Sequence, residues 1–493
     1  MLNDSKAFSG FPARDIAKAK EFFARTLGLD GTWSFANNCS LPAHRASTSV
    51  RHFAALLNTE KLMPPHRPNK GACSMKAIHM TSRNFLRSGG ALAVTIGLSL
   101  LSGPSLIAQT DIAVTPFKYE APQSALDDLK QRLKSTRWPE GETVKDWSQG
   151  VPLAKLRALV EYWKADYDWH RCEAKLNSFP QFRTKIDGLN IHFLHIRSPH
   201  ENALPIIITH GWPGSVIEFL KVIDPLTNPT AHGGHAEDAF HVVVPSLPGF
   251  GFSDKPSEPG WNTARIAKAW SELMRRLGYT RYVAQGGDWG SIITTTLAQR
   301  RPAGLAGIHL NMPVVFPDPI PTTGLSAAEQ RAADAFKRFQ TEGFGYFLEQ
   351  STRPQTIGYA LADSPIGQAA WIYEKFHDWT DNKSDPESAL TRDEMLDNIT
   401  LYWLTDTAAS SARIYFEQAR LGSINNSGRV DLPVGCSIFP REIVPAPRTW
   451  AERLFPNLIY WNELDRGGHF AAFEQPALFT KELRDCFRSL RAK

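Results

Sequence analysis

The sequence predicts an α/β protein: a mostly parallel central sheet flanked by helices, with a helical lid inserted before the penultimate strand and an N-terminal meander. Three observations carry this expectation. Six short apolar runs alternate with helical segments between residues 205 and 463. Roughly 120 residues between the fourth and fifth runs show helical period and no strand pattern. Turn-rich, chemically loaded segments stand directly after the runs, where open parallel sheets form their sites.

The first 110 residues divide into two parts. "AFSGFPARDIAKAKEFFARTLGLDG" reads as a short amphipathic helix and resembles the opening of glyoxalase/bleomycin-resistance proteins, but the strands and metal ligands of such a domain do not follow. The rest of residues 1–79 is polar and without period, as expected of a weakly ordered extension, a fusion or a misplaced start. Residues 80–110 are different. Arg83 and Arg87 precede an apolar run, Ala91–Leu101, then Gly103-Pro104 and a small-residue exit near Ala108. That is the layout of a secretory signal peptide. A membrane anchor over 88–110 is the rival, because no charge falls between Arg87 and Asp111 and ~20 apolar residues suffice to span. The Gly-Pro break favours the signal. A leader cannot work from inside a chain, so the expected true start is Met75 or Met80, and the protein is exported if that leader is used.

Over 111–200, "FKYEAPQSALDDLKQRLKSTRWP" has helical spacing at Leu126, Leu129 and Leu133, ended by Pro139. "LAKLRALVEYWKADYDWH" reads as one further amphipathic helix, and "FRTKIDGLNIHFLHI" as two strands turning at Asp187-Gly188. The core runs follow in two parts. Over 201–312 they are "PIIITH", "FHVVVPS", "RYVAQGG" and "AGIHLNM", with helices expected over 263–277 and 291–300. The lid occupies 313–431, and "LPVGCSIF" and "LIYWNE" complete the sheet within 432–493.

After the first run comes "HGWPGS", a glycine-bearing loop able to present N–H groups to an anion. "PSLPGFGFSD" follows the second. After the third comes Gly286-Gly287-Asp288-Trp289-Gly290, a G-x-D-x-G elbow whose small residues let strand and helix approach. Glu442 follows the fifth run and His469 the sixth. Taken singly, Asp288 reads equally as the cap of a helix starting at Ser291, His469 as a loop histidine and Glu442 as a solvated charge. Their joint occurrence at successive strand ends, in the order nucleophile, acid, histidine, is that of α/β-hydrolases.

From about Phe117 onward the chain resembles epoxide hydrolases of the microsomal and juvenile-hormone type. The resemblance rests on "STRWPE", "DWSQGVPL", "YWKADYDW" and "LNSFPQF" in the meander, and on HGWPGS, PGFGFSD, GGDWGS and GGHFAAFE in the core. It implies an aspartate nucleophile at Asp288, a base at His469 and an orienting acid at Glu442. It also implies two lid tyrosines that hold the epoxide oxygen. The lid offers Tyr346, Tyr359, Tyr373, Tyr402 and Tyr415. The family contexts match Tyr346 in "EGFGYFLEQ" and Tyr415 in "ARIYFEQ", leaving the other three as packing residues. The backbone N–H groups of Trp212 and Trp289 are the expected oxyanion donors, and His210, Gly211 and Pro213 are expected to contact substrate. The implied reaction turns an apolar epoxide and water into a vicinal diol, without cofactor or metal.

Two alternatives stand beside this reading. A haloalkane dehalogenase also places Asp-Trp-Gly at the elbow, but needs a second halide-binding donor besides Trp212. An inactive, ligand-binding member of the fold has no need of the complete side-chain set. Nucleic-acid binding is excluded by charge: residues 1–110 carry a net +8, whereas the remainder carries −3. The five cysteines, Cys39, Cys73, Cys172, Cys436 and Cys486, lack the spacing of a zinc site or disulfide framework. Nothing in the sequence sets an oligomeric state. N-terminal sequencing of the natively expressed protein should read a start at or after Met75, and a mature N-terminus upstream of Met75 would refute that expectation.

Overall fold

The computed structural model describes residues 112–422 and 428–491. The extension, the leader and the alternative start at Met75 or Met80 lie outside the described residues. The six runs form the six parallel strands of one nine-stranded sheet: β4 (Leu204–Thr209), β5 (Phe240–Pro245), β6 (Tyr282–Gly286), β7 (Leu305–Leu310), β8 (Val434–Ile438) and β9 (Leu458–Glu463). Three antiparallel strands extend one edge: β1 (Val114–Phe117), β2 (Gln181–Ile186) and β3 (Leu189–Ile196), in the order β1-β2-β3-β5-β4-β6-β7-β8-β9. The β2–β3 hairpin turns at Asp187-Gly188, both with positive φ. β1 carries no strand signal in the sequence because it is four residues long and holds Pro116, a residue confined to sheet edges.

In the meander, Leu126, Leu129 and Leu133 bury one face of α1 (Gln123–Lys134), which stops well before Pro139. The expected second helix is two. α2 (Leu153–Ala165) ends at Asp166, and Asp168 then caps α3 (Trp169–Asn177), its side chain accepting from the N–H of His170. A carboxylate there satisfies the new helix's first donors better than it tolerates a helix interior.

The inner parallel strands, β4 to β8, are buried on both faces, whereas β9 at the edge is only partly buried. β4 and β6 are walled by α4 (Thr263–Arg276) and α5 (Asp288–Arg300), and residues Trp289 to Ala298 of α5 are buried without a break. After β4 the chain places β5 on one side and then returns to lay β6 on the other. The carboxyl ends of β4 and β6 therefore flank the point where strand order reverses, the place such sheets leave a crevice.

Among the described residues, six α-helices between β7 and β8 form the lid: α6 (Ala327–Arg338), α7 (Gly345–Thr352), α8 (Pro354–Asp363), α9 (Pro365–Trp379), α10 (Arg392–Leu404) and α11 (Ala408–Ala419). The meander straps this lid down. Tyr167 and Arg171 both donate to Asp397 Oδ1, at 2.8 and 2.7 Å, and Lys155 pairs with Asp385 at 2.6 Å. Among the described residues no helix is long and apolar enough to cross a membrane, and no cluster of residues fits a metal ion.

Candidate active site

The turn after β6 is as tight as the G-x-D-x-G spacing requires. A methyl group on Gly290 would stand 2.0 Å from the carbonyl oxygen of Thr209 at the end of β4, and one on Gly286 would stand 2.1 Å from the carbonyl oxygen of Gly290. α5 begins at Asp288 itself, three residues earlier than expected, with Gly287 as its cap. Asp288 is thus the first helical residue and not a cap for a helix starting at Ser291. It adopts φ +48°, a conformation that costs a non-glycine residue of order 1–3 kcal/mol. The strain aims its carboxylate out of the elbow.

That carboxylate meets two donors. The backbone N–H of Trp212, in the loop after β4, donates to Asp288 Oδ1 at 2.8 Å. His469 Nε2, in the loop after β9, lies 3.3 Å from Asp288 Oδ2. His469 Nδ1 is 2.6 Å from Glu442 Oε1, which also accepts from the N–H of Ile443. The His469 and Glu442 side chains are almost completely enclosed. Burial alone would lower the imidazole's pKa, but Glu442 and Asp288 outweigh it and hold His469 well above the ordinary histidine value. The carbonyl of Trp379, the last residue of α9, accepts from the N–H of His469 at 2.8 Å, so the lid fixes the backbone that carries this ring.

The lid brings two of its five tyrosines to this point. Tyr346 stacks on Trp212 with ring centroids 5.1 Å apart, and Tyr415 stands edge-on to Trp289 at 4.7 Å. The two phenol rings are 5.8 Å apart. Burial and the nearby Asp288 carboxylate push both phenols well above the ordinary tyrosine value, so they remain hydrogen-bond donors. Tyr402 donates instead to the carbonyl of Gly214, and Tyr373 packs on Trp147 of the meander. Tyr359 is not a packing residue: it is 70% exposed on the outer face of the lid.

The loop after β4 is held from both sides. His210 uses both ring nitrogens on backbone: Nδ1 on the carbonyl of Gly211, and Nε2 accepting from the N–H of Leu247. Burial lowers its pKa to about 4, so it is a neutral strut between the β4 and β5 loops. Gly211 leaves space for Asp288, whose Oδ1 would be 2.0 Å from a methyl there. The carbonyl of Pro213 accepts from Asn398 of the lid at 2.8 Å. Trp289 lies against Tyr415, and among the described hydrogen bonds its N–H makes none to Asp288. Two residues near the centre escaped the sequence reading. Lys375 is buried with its ammonium 4.6 Å from the centre of the Tyr346 ring, as one of several charges in a lid helix. Glu218 faces the underside of the site, and its only sequence signal is the capping-box spacing from Ser215.

With this geometry in place, comparison with known proteins gives a consistent result. The family profile of the epoxide hydrolase N terminus matches residues 114–219, and that of the alpha/beta hydrolase fold matches 205–355. A Stigmatella aurantiaca protein named "Putative epoxide hydrolase" is 73% identical over 380 residues, spanning 77% of this chain and 86% of its own length. Epoxide hydrolase 1 of Sus scrofa is 37% identical over 404 residues, covering 76% of this chain and 89% of its own. Among solved structures, the juvenile hormone epoxide hydrolase of Bombyx mori superposes with a TM-score of 0.71 at 31% identity, over 79% of this chain and 98% of that one. The Aspergillus niger epoxide hydrolase gives 0.69 at 34% identity, over 78% and 98%.

The raised pKa of His469 has a measurable consequence for stability. Imidazolium pairing contributes fully below the unfolded-state value of about 6.5 and fades as pH climbs through the higher folded-state value. The stability difference between wild type and His469→Gln, from chemical denaturation, should therefore shrink from pH 6 to pH 9. A constant difference would mean that His469 is not protonated in the resting protein.

Proposed function

This chain belongs to the epoxide hydrolase family and is a hydrolase acting on epoxides; we propose that it opens an apolar epoxide through a covalent ester on Asp288, which water then cleaves to a vicinal diol. The observation that supports this most directly is the placing of one carboxylate, Asp288, between an N–H donor, an imidazole and two buried phenols.

An epoxide has no carbonyl, and its electrophile is an sp³ carbon whose leaving group is the ring oxygen. A carboxylate needs no base to attack it, which a serine would. As Asp288 attacks from the rear, negative charge develops on the ring oxygen, and Tyr346 and Tyr415 donate hydrogen bonds and a proton to it. Bond formation also removes the Asp288 charge that helps to keep the phenol protons in place, so proton release eases as the alkoxide needs it.

The same loss of charge lowers the proton affinity of His469, since Asp288 is one of the two carboxylates that raise it. The proton it gives up restores the phenol, and the resting imidazolium–carboxylate pair becomes neutral imidazole plus neutral ester. His469, oriented by Glu442, then takes a proton from water, and the hydroxide attacks the Asp288 carbonyl carbon. The oxyanion forms where Trp212 already donates; one such donor is worth about 3 kcal/mol. Trp289 N–H is the second candidate donor, engaged once the carbon turns tetrahedral. The aromatic surround of the two phenols, Trp212, Trp289, Trp379 and Phe347, supports an apolar substrate.

Single-turnover hydrolysis of styrene oxide in oxygen-18 water tests the ester. Label should enter the peptide carrying Asp288 while the first-turnover diol stays unlabelled, and His469→Gln should accumulate a substrate mass adduct. Label in the diol with none in the peptide would mean direct attack by water. The phenols are tested separately: Tyr346→Phe combined with Tyr415→Phe should slow adduct formation at least 100-fold, and undiminished alkylation would remove them from the mechanism.

A further inference from the structure

Beside Asp288 lies a small, partly open chamber with room for about one or two water molecules. It is lined by Asp288, His469, Gly211, Asn311, Phe479 and Glu218, and by neither lid phenol. The elbow carboxylate thus separates two spaces: the aromatic one, where the phenols stand, and this one, where a water can reach the carboxyl carbon and His469 together.

Of the ionisable side chains that line the chamber, Asp288 and His469 act in the mechanism above and His210 is a neutral strut between loops, which leaves Glu218 without a role. Its Oε1 accepts from the N–H of Ser215 at 3.0 Å, closing the capping box of the turn Val216–Phe219. Its Oε2 makes no hydrogen bond among the described contacts. We propose that the chamber holds the water that hydrolyses the ester, and that Glu218 is the positioning residue that orients it. The inference rests on the ester reading given above. The Glu218 carboxyl donates its O–H to the water oxygen, the water donates one hydrogen to His469 Nε2, and a lone pair faces Asp288 Cγ. The water proton passes to His469, the water oxygen bonds to Cγ, the ester C–O bond breaks, and the departing diol oxygen takes the remaining proton of the added hydroxyl. Asp288 carboxylate and imidazolium are thereby regenerated.

Burial, with Asp288 adding to it and His469 opposing, raises the Glu218 carboxyl to about 8, so near neutrality it carries the proton this role needs. The titratable groups that face it are Asp288 of α5, His469 of the loop after β9 and Tyr402 of α10.

Rapid-quench mass spectrometry of ester formation and breakdown, with Glu218→Gln and Glu218→Met, tests the assignment. Glu218→Gln keeps an acceptor for Ser215 and a donor toward the chamber, so its ester should break down within about threefold of wild type at pH 7. In wild type that step should fall away above about pH 8, whereas in Glu218→Gln it should not. Glu218→Met should form ester at a near wild-type rate and break it down at least tenfold more slowly, lowering kcat and KM together. Superimposable pH profiles for wild type and Glu218→Gln would overturn the role, and they decide the question even where Glu218→Met does not fold. Equal slowing of formation and breakdown in Glu218→Met would also overturn it. Absence of any ester in all three proteins would overturn the mechanism beneath it, an outcome distinct from ester that forms and breaks alike in all three.

Discussion

Two carboxylates delivered by different strand ends share one buried imidazole, and the remainder of the site is arranged around the cost of that burial. Removing an ion from water costs several kcal/mol even after relaxation, and opposite charge offsets it only with good geometry and satisfied hydrogen bonds. Here Glu442 and Asp288 flank His469 at 2.6 and 3.3 Å, the Trp212 and Ile443 amides take further lone pairs, and the Tyr346 and Tyr415 phenols stand beside the exposed end of Asp288. The lid is part of the same solution. It closes the aromatic wall, ties the His469 backbone to Trp379 and pins the loop after β4 through Asn398 and Tyr402.

The elbow makes the arrangement geometrically possible. Asp288 is held at positive φ because α5 cannot relax: its next ten residues are buried, and Gly290 already touches β4. Strain of this kind persists only where the surroundings over-determine it. The contacts that do so lie in the sheet rather than in the lid.

Much of this was legible in the chain, and the parts that were not share a cause. The parallel strands β4 to β8 are legible because strands buried on both faces are mostly apolar runs, and the partly buried edge strand β9 is legible from its apolar start. Asp288, Glu442 and His469 can be picked out as candidates because each lies in the segment that follows such a run. Tyr346 and Tyr415 stand apart from Tyr359 and Tyr402 only by resemblance to a family. Which tyrosine of a helical lid points inward depends on how six helices pack, and local spacing does not encode it. The start of α5 was misplaced because Asp288 looks like a cap, and only the close approach of β4 forces it into the first helical position. Glu218 was missed because a capping-box glutamate is ordinarily a solvated surface residue. Its partial burial comes from segments some 70 and 250 residues further along the chain, which complete the chamber it lines.

The proposed chemistry also respects the constraint on charge. At rest, imidazolium between two carboxylates leaves the buried cluster with one net negative charge. After alkylation, the ester is neutral, the imidazole is neutral and Glu442 alone carries the charge. Hydrolysis restores the first arrangement. Neither half-reaction adds a net charge to the enclosed site, where even a single unit would be expensive. A protonated Glu218 in the water chamber fits the same rule, because it can orient a water without adding a second anion beneath the first. A serine at position 288 would break the pattern, since the cluster would lose one of the two anions that hold the imidazolium in place. On the proposed mechanism the aspartate is thus doubly determined, by the sp³ electrophile it would attack and by the buried charge it shares.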